Sequence, residues 1–268
     1  MKLTVTGLLY AGVIGIFYLQ TDFNEQDPSY IAWKIVPLWV LLFYLFAIDN
    51  VMELDDRILL TLGLSACMAG DELIELNTNG MVLGAIAFGI GHALYMASFV
   101  RNTKRFMWPL IPATMVCVCL LVNFGLLPLF REKPVDAAVF TLYAILLSAA
   151  LNFAISQFVY GTDTHPPLSL SSFLRVMAFA TFYVSDLAII CNYIGYKMPY
   201  KAIFVLLTYY ASQYLQVSAA VRYEETIPSE HPNPTTTTST DHPPPTVIFR
   251  APRASEKLPY APNTAVRY

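Results

Sequence analysis

The sequence predicts an all-α, polytopic membrane protein with about eight transmembrane helices and a disordered C-terminal tail. Three observations lead there. Of 268 residues, 56% are hydrophobic and only 13% are charged, where a soluble domain carries nearer a quarter charged. Apolar runs recur between short polar links, and they approach the roughly 20 residues that cross about 30 Å of hydrocarbon. The strict alternation of an outer-membrane strand is absent, which argues against a barrel.

The expected spans cover 3–20, 30–48, 57–76, 82–100, 107–127, 135–158, 170–194 and 199–221. The first opens on a basic Met1-Lys2, as a signal peptide would. It is long for such a segment and lacks a small-x-small cleavage site, so it reads as a retained helix. The second carries Lys34 one turn into the membrane, where a lysine either snorkels to the interface or pairs with a buried carboxylate. The third is the weakest, because Glu72 and Glu75 join Asp71 near its end. These two glutamates are expected to approach the interface. A short link from Asn77 to Gly80 makes the third and fourth spans antiparallel neighbours, and Gly84, Ala87 and Gly91 offer a small-residue face for close approach. Pro109 and Pro112 stand near the start of the fifth, where proline is tolerated or makes a kink. The link Gly161-Thr162-Asp163-Thr164-His165-Pro166-Pro167 separates the sixth from the seventh.

At about Tyr223 the composition changes abruptly. The chain therefore divides into a membrane domain over 1–222 and a Pro/Thr-rich tail over 223–268, which cannot bury enough apolar surface to fold. Lys2, Arg57, Arg101, Lys104, Arg105 and Arg222 fall on one side of an eight-span layout, against Arg131, Lys133, Lys197 and Lys201 on the other. That bias puts both termini in the cytosol. Cys67, Cys117, Cys119 and Cys191 all lie inside apolar spans, so a disulfide framework is not expected and they read as small buried hydrophobes. No basic stripe suggests nucleic acid as a partner.

Polar residues inside the spans are the candidates for chemistry. Asp71, His92, Ser185 and Asp186 each interrupt an apolar run, and a charged Asp at mid-bilayer costs roughly 2.5–3.5 kcal/mol on insertion scales. His92 and Tyr95 are three apart, and Tyr209 and Gln213 four apart, so each pair shares a helix face. Taken singly, His92, Ser185, Tyr209 and Gln213 can each serve as a cross-helix hydrogen bond and nothing more. Two aspartates on separate helices are harder to explain structurally, since burial favours a carboxyl's protonated form and so supplies an acid near neutral pH. His165, His231 and His242 lie in a loop or the tail, so a multi-His zinc site is excluded. Spacing does not support a Mg²⁺ or Ca²⁺ site, and no Gly-x-Ser-x-Gly elbow is present. On the residues alone, an enzyme and a small transporter or channel both remain open.

At these positions the chain resembles the YhhN-like family, the lysoplasmalogenases called transmembrane protein 86 in vertebrates. The likeness rests on Gly70-Asp71 before a short link, Phe88-x-x-x-His92-x-x-Tyr95, Val184-Ser185-Asp186 and Thr208-Tyr209-Tyr210-x-x-Gln213. Lys34 and Pro37 add a Lys-x-x-Pro in the second span. Order, spacing and layout agree over roughly residues 5–220, while Glu72 and Glu75 depart from the apolar residues expected after Gly-Asp. The resemblance implies hydrolysis of the sn-1 vinyl ether of a lysoplasmalogen, without a cofactor or metal. It implies Asp71 and Asp186 as acid and as charge-stabilising or water-activating group, with His92 relaying a proton. Tyr95, Ser185, Tyr209 and Gln213 would position water and the ether oxygen, and Lys34 would bind phosphate or hold one aspartate ionised. The implied partners are a lysophospholipid substrate and membrane lipid, with self-association left open, and the implied membrane is the endoplasmic reticulum.

Overall fold

The computed structural model describes residues 3–47, 52–76, 80–163 and 165–225. Among them the chain forms helices and no strand, with one isolated bridge between Thr103 and Thr162. The helices are α1 (Leu3–Thr21), α2 (Tyr30–Ala47), α3 (Leu54–Leu76), α4 (Gly80–Val100), α5 (Leu110–Leu121), α6 (Leu127–Glu132), α7 (Pro134–Tyr160), α8 (Leu170–Tyr193) and α9 (Lys201–Glu225). A π-helical turn, Val122–Leu126, joins α5 to α6, so the two form one rod from Leu110 to Glu132. The described residues thus hold eight rods, one for each expected span, and the fifth reaches further than expected. The predicted tail lies outside the described residues, except that α9 continues through 223–225.

Six rods are long and apolar enough to cross a membrane; α3 and α9 are not among them. Their polarity has a physical reason. Asp71 and Glu75 of α3 meet Lys34 of α2, and Gln213 of α9 meets Tyr95 of α4. A polar group inside hydrocarbon must find a protein partner, so helices with inward polar faces score as poor spans while remaining well packed. The most apolar rod, Leu110–Glu132, is the reverse case: it is little buried and presents Val116, Leu120 and Phe124 outward.

The closest pairings join α3 to α4 and α8 to α9. A Cβ added at Gly91 would lie 2.6 Å from Cys67 Sγ and 2.9 Å from the Gly63 carbonyl oxygen. Only glycine permits that approach, and Gly84 repeats it against Gly70. Ala87 is only partly buried, so the close face is narrower than the expected Gly-Ala-Gly stripe. The cysteines also depart from expectation. All four are free, but only Cys67 is buried; Cys117 and Cys119 are exposed on α5. His165 lies in the α7–α8 loop, as expected, and is buried there, with its backbone N–H donating to Thr162 Oγ1.

The end of the bundle near Thr103 is fastened by a second polar group. Arg175 donates to Gln157 Oε1 at 2.6 Å, and Gln157 Nε2 donates to the Phe99 carbonyl at 2.7 Å. Arg101, the residue after α4, pairs with Asp56 of α3 at the same end.

The glycine contact makes a direct prediction. Gly91→Ala should lower thermal unfolding in detergent by an amount equivalent to about 1–3 kcal/mol, because Cys67 and the α3 backbone must move apart. Gly12→Ala, where an added Cβ meets nothing within 4 Å, should not.

Candidate active site

Lys34 is the first residue to place. It lies one turn into α2, and the Tyr210 hydroxyl donates to its carbonyl at 2.7 Å, fixing α2 against α9. The next turn contains Pro37, which lacks the N–H that would continue the helical ladder there. The ammonium does not snorkel. Only 7% exposed, it meets Asp71 Oδ1 and Glu75 Oε1, each at 3.3 Å. It also stands 5.8 Å from the centre of the Tyr30 ring. Of the two readings open from the sequence, the paired one holds. Glu75 is correspondingly a member of the site rather than an interface residue, since four residues place it one turn beyond Asp71 on the same face. Glu72 is exposed.

Asp71 has a second partner. Tyr209 of α9 donates to its Oδ2 at 2.6 Å, so one carboxylate ties α2, α3 and α9 together. Asp186 of α8 sits in a separate chain of hydrogen bonds. Tyr143 of α7 donates to Asp186 Oδ2 at 2.5 Å, and His92 Nε2 of α4 lies 2.8 Å from the Tyr143 oxygen. Tyr143 has a single proton, so while it donates to Asp186, His92 Nε2 must carry hydrogen and donate to Tyr143. His92 Nε2 is 3.6 Å from Asp186 itself. The ring is fully buried and held edge-on by Phe182, with centroids 4.6 Å apart.

A cavity of about 530 Å³, counting its mouth, brings the two carboxylates together. Asp71, Asp186, Lys34, Glu75 and Tyr209 line it, with Glu25, Tyr30 and Lys201 toward the bundle end. A second, largely apolar groove shares Ile74, Phe88, Asp186 and Ile189 with it and continues past Met81, Ala85, Phe140 and Ile190. Asp186 therefore stands where a polar cavity meets an apolar one.

Four predicted residues lie behind this wall. Tyr95 donates to Gln213 Oε1 at 2.7 Å, a pairing of α4 with α9. Ser185 Oγ donates to the Val205 carbonyl at 3.2 Å and so staples α8 to α9. His92 reaches the cavity only through Tyr143 and Asp186. Tyr143, Glu25 and Lys201 were not among the site residues expected from the sequence, and Glu75 was expected at the interface. For Tyr143 a signal existed, since a tyrosine at mid-span must find a partner for its hydroxyl. Among the described residues, no group of three His, Cys, Asp or Glu side chains converges to hold a metal ion.

The fold and site define a class: a multi-pass helical membrane protein with an acidic, lysine-braced cavity enclosed in its bundle. The YhhN family model matches residues 29–220, and the chain belongs to that family. Curated relatives named "Uncharacterized membrane protein YhhN" occur in Escherichia coli O6:H1, Escherichia coli O157:H7 and Shigella flexneri. Each is 31% identical over 106 residues, covering 39% of this chain and 51% of the relative. The chain thus spans about half the length of the curated relatives it matches. No solved structure matches the chain.

The buried pair predicts its own mutational behaviour. Lys34→Met should destabilise by about 3 kcal/mol, because Asp71 is left buried without its cation. Lys34→Met combined with Asp71→Asn should recover part of that loss. Chemical unfolding of both variants in detergent measures the difference.

Proposed function

We propose that this protein is a lysoplasmalogenase, hydrolysing the sn-1 vinyl ether of an alkenyl glycerophospholipid to a fatty aldehyde and the glycerophospho-alcohol. The observation that carries this reading is the position of Asp186 at the junction of a polar cavity and an apolar groove. A lysoplasmalogen has the same division: a hydrocarbon chain, then an acid-labile vinyl ether, then a polar glycerophosphate.

The two carboxylates take different roles because their neighbours differ. Asp71 is ion-paired with Lys34 and serves as the fixed anion. Asp186 is joined by Tyr143 to His92 and serves as the proton donor. Its proton passes to the β-carbon of the vinyl ether, and the double-bond electrons form the new C–H bond. Positive charge then spreads over the α-carbon and the ether oxygen, as in the oxocarbenium-like state of glycoside hydrolysis. Asp71 faces that cation from across the cavity, and a preset anion of this kind lowers the barrier without reorganising. Water adds to the α-carbon and gives one proton to Asp186, which restores the acid. The hemiacetal passes its hydroxyl proton to the glycerol oxygen as the carbon–oxygen bond breaks. The sum is one water consumed, one aldehyde and one alcohol released.

His92 and Tyr143 act through Asp186. Starting from the imidazolium, reversing both hydrogen bonds carries one proton from His92 through Tyr143 to Asp186 and leaves a neutral imidazole, so Asp186 can alternate between donor and acceptor. Residence in the endoplasmic reticulum with cytosolic termini goes with this reading. The up-and-down course of the helices then opens the cavity to the lumenal side, because Glu25, Lys34, Asp71 and Lys201 all lie at the end of the bundle opposite Leu3.

Purified protein incubated with a lysoplasmalogen should release free aldehyde, and neither Asp71→Asn nor Asp186→Asn should do so. Tyr143→Phe should retain a slow reaction, with kcat reduced about 10- to 100-fold. Folded wild-type protein that releases no aldehyde would defeat the hydrolase assignment and direct attention to transport of a lipid through the same cavity.

A further inference from the structure

We infer that Glu25 and Lys201 form a recognition site for a zwitterionic ammonium–phosphate headgroup at the mouth of the cavity. The inference rests on the reading that a lysophospholipid enters this cavity, and it adds how the headgroup is chosen. Glu25 Oε1 and Lys201 Nζ are 2.7 Å apart, and both line the cavity that holds Asp71 and Asp186. Their side chains keep 44% and 26% exposure, while Lys34 and Asp71 on the cavity floor are nearly sealed.

Exposure decides what each pair can do. A buried ion pair is held by the cost of separating it, whereas an exposed pair contributes little net stability and exchanges partners easily. The floor pair is therefore fixed in place, and the rim pair is free to open around a guest. Glu25 would accept hydrogen bonds from an ammonium group, and Lys201 would donate to a phosphate oxygen. Both are charge-assisted contacts. Lys201 is also the first residue of α9, so the positive end of a 25-residue helix adds to its pull on a phosphate.

The rim is held in place without help from the pair itself. Phe23 is buried against Phe17, with ring centroids 4.8 Å apart, and anchors the α1–α2 loop two residues before Glu25. Asp22 and Phe23 adopt positive φ of 50° and 52° and reverse the chain there. Asp27 then accepts from the Ser29 backbone and hydroxyl at 2.7 and 2.6 Å, and these bonds hold the Asp27 carboxyl below the usual carboxylate range.

Charge sets the selectivity. The cavity lining holds four carboxyl side chains, Glu25, Asp71, Glu75 and Asp186, against two lysines, Lys34 and Lys201. A phosphate lacking an ammonium group would meet this acidic surplus uncompensated, whereas a zwitterion brings its own cation. Discrimination against an anionic headgroup therefore falls chiefly to Glu25.

The test is equilibrium binding in detergent with saturated 1-O-alkyl lysolipids, which have no vinyl ether to cleave. The probes are the phosphoethanolamine lipid, the corresponding alkyl glycerophosphate, and soluble glycerophosphoethanolamine. Glu25→Gln should weaken the zwitterionic lipid about tenfold, the loss of one charge-assisted contact, and abolish its advantage over the alkyl glycerophosphate. Lys201→Gln should weaken both lipids. Soluble glycerophosphoethanolamine should bind weakly with the same ranking of variants; if it binds as tightly as the lipid, the site is one for free phosphodiesters and the lipid assignment falls. Unchanged affinities in both variants, in protein that melts like wild type, would overturn the rim assignment and leave the hydrolase intact. The expected pattern in a protein that releases no aldehyde would uphold the rim and remove the hydrolase.

Discussion

The ion pair between Lys34 and Asp71 is the constraint on which the rest of this bundle depends. Two charges removed from water are costly unless each finds enough polar contacts. Here the lysine takes two carboxylates and the aspartate takes a lysine and a tyrosine hydroxyl. Those contacts come from α2, α3 and α9, so satisfying one pair brings three helices to one point. Tyr210, beside Tyr209 on α9, secures the same junction by donating to the Lys34 backbone. The geometry of the cavity follows from that junction.

The division between inner and outer helices follows from the same requirement. In hydrocarbon a polar side chain gains nothing from facing outward, so α3 and α9 direct theirs toward protein. Lipid-facing helices carry the opposite pattern, and their large apolar side chains remain exposed. Low hydropathy therefore marks α3 and α9, which bring Asp71, Glu75 and Tyr209, while α2 and α8 carry Lys34 and Asp186 within otherwise apolar spans. The glycines of α3 and α4 complete the arrangement, since close backbone contact brings the His92 layer and the Asp71 layer together.

Within the cavity, one aspartate is neutralised by a lysine and the other is wired to a histidine through a tyrosine. Like groups in unlike surroundings are how acid–base sites divide their labour. The hydrolase proposal uses that asymmetry, and a vinyl ether requires it, because its cleavage needs a proton donor and an anion at the same moment. The headgroup proposal uses a second contrast, between a sealed pair on the floor and an open pair at the rim.

Much of this was legible in the sequence. Hydropathy located all eight rods, because the bilayer rewards long apolar helices so strongly that composition alone reveals them. Asp71, Asp186, Lys34 and Tyr209 were identified for a related reason: a polar residue inside such a run is too costly to be idle. Sequence alone could not choose between a snorkelling and a paired Lys34, nor find that Glu75 and Tyr143 complete the two halves of the site. Nor could it show that Ser185, Tyr95 and Gln213 bind helices together behind the cavity, or that Glu25 meets Lys201 across 176 positions of chain. Periodicity reports which face of a helix a residue shares, and the cost of burial reports that it needs a partner. Which partner it meets depends on how the helices rotate and approach, and only tertiary packing sets that.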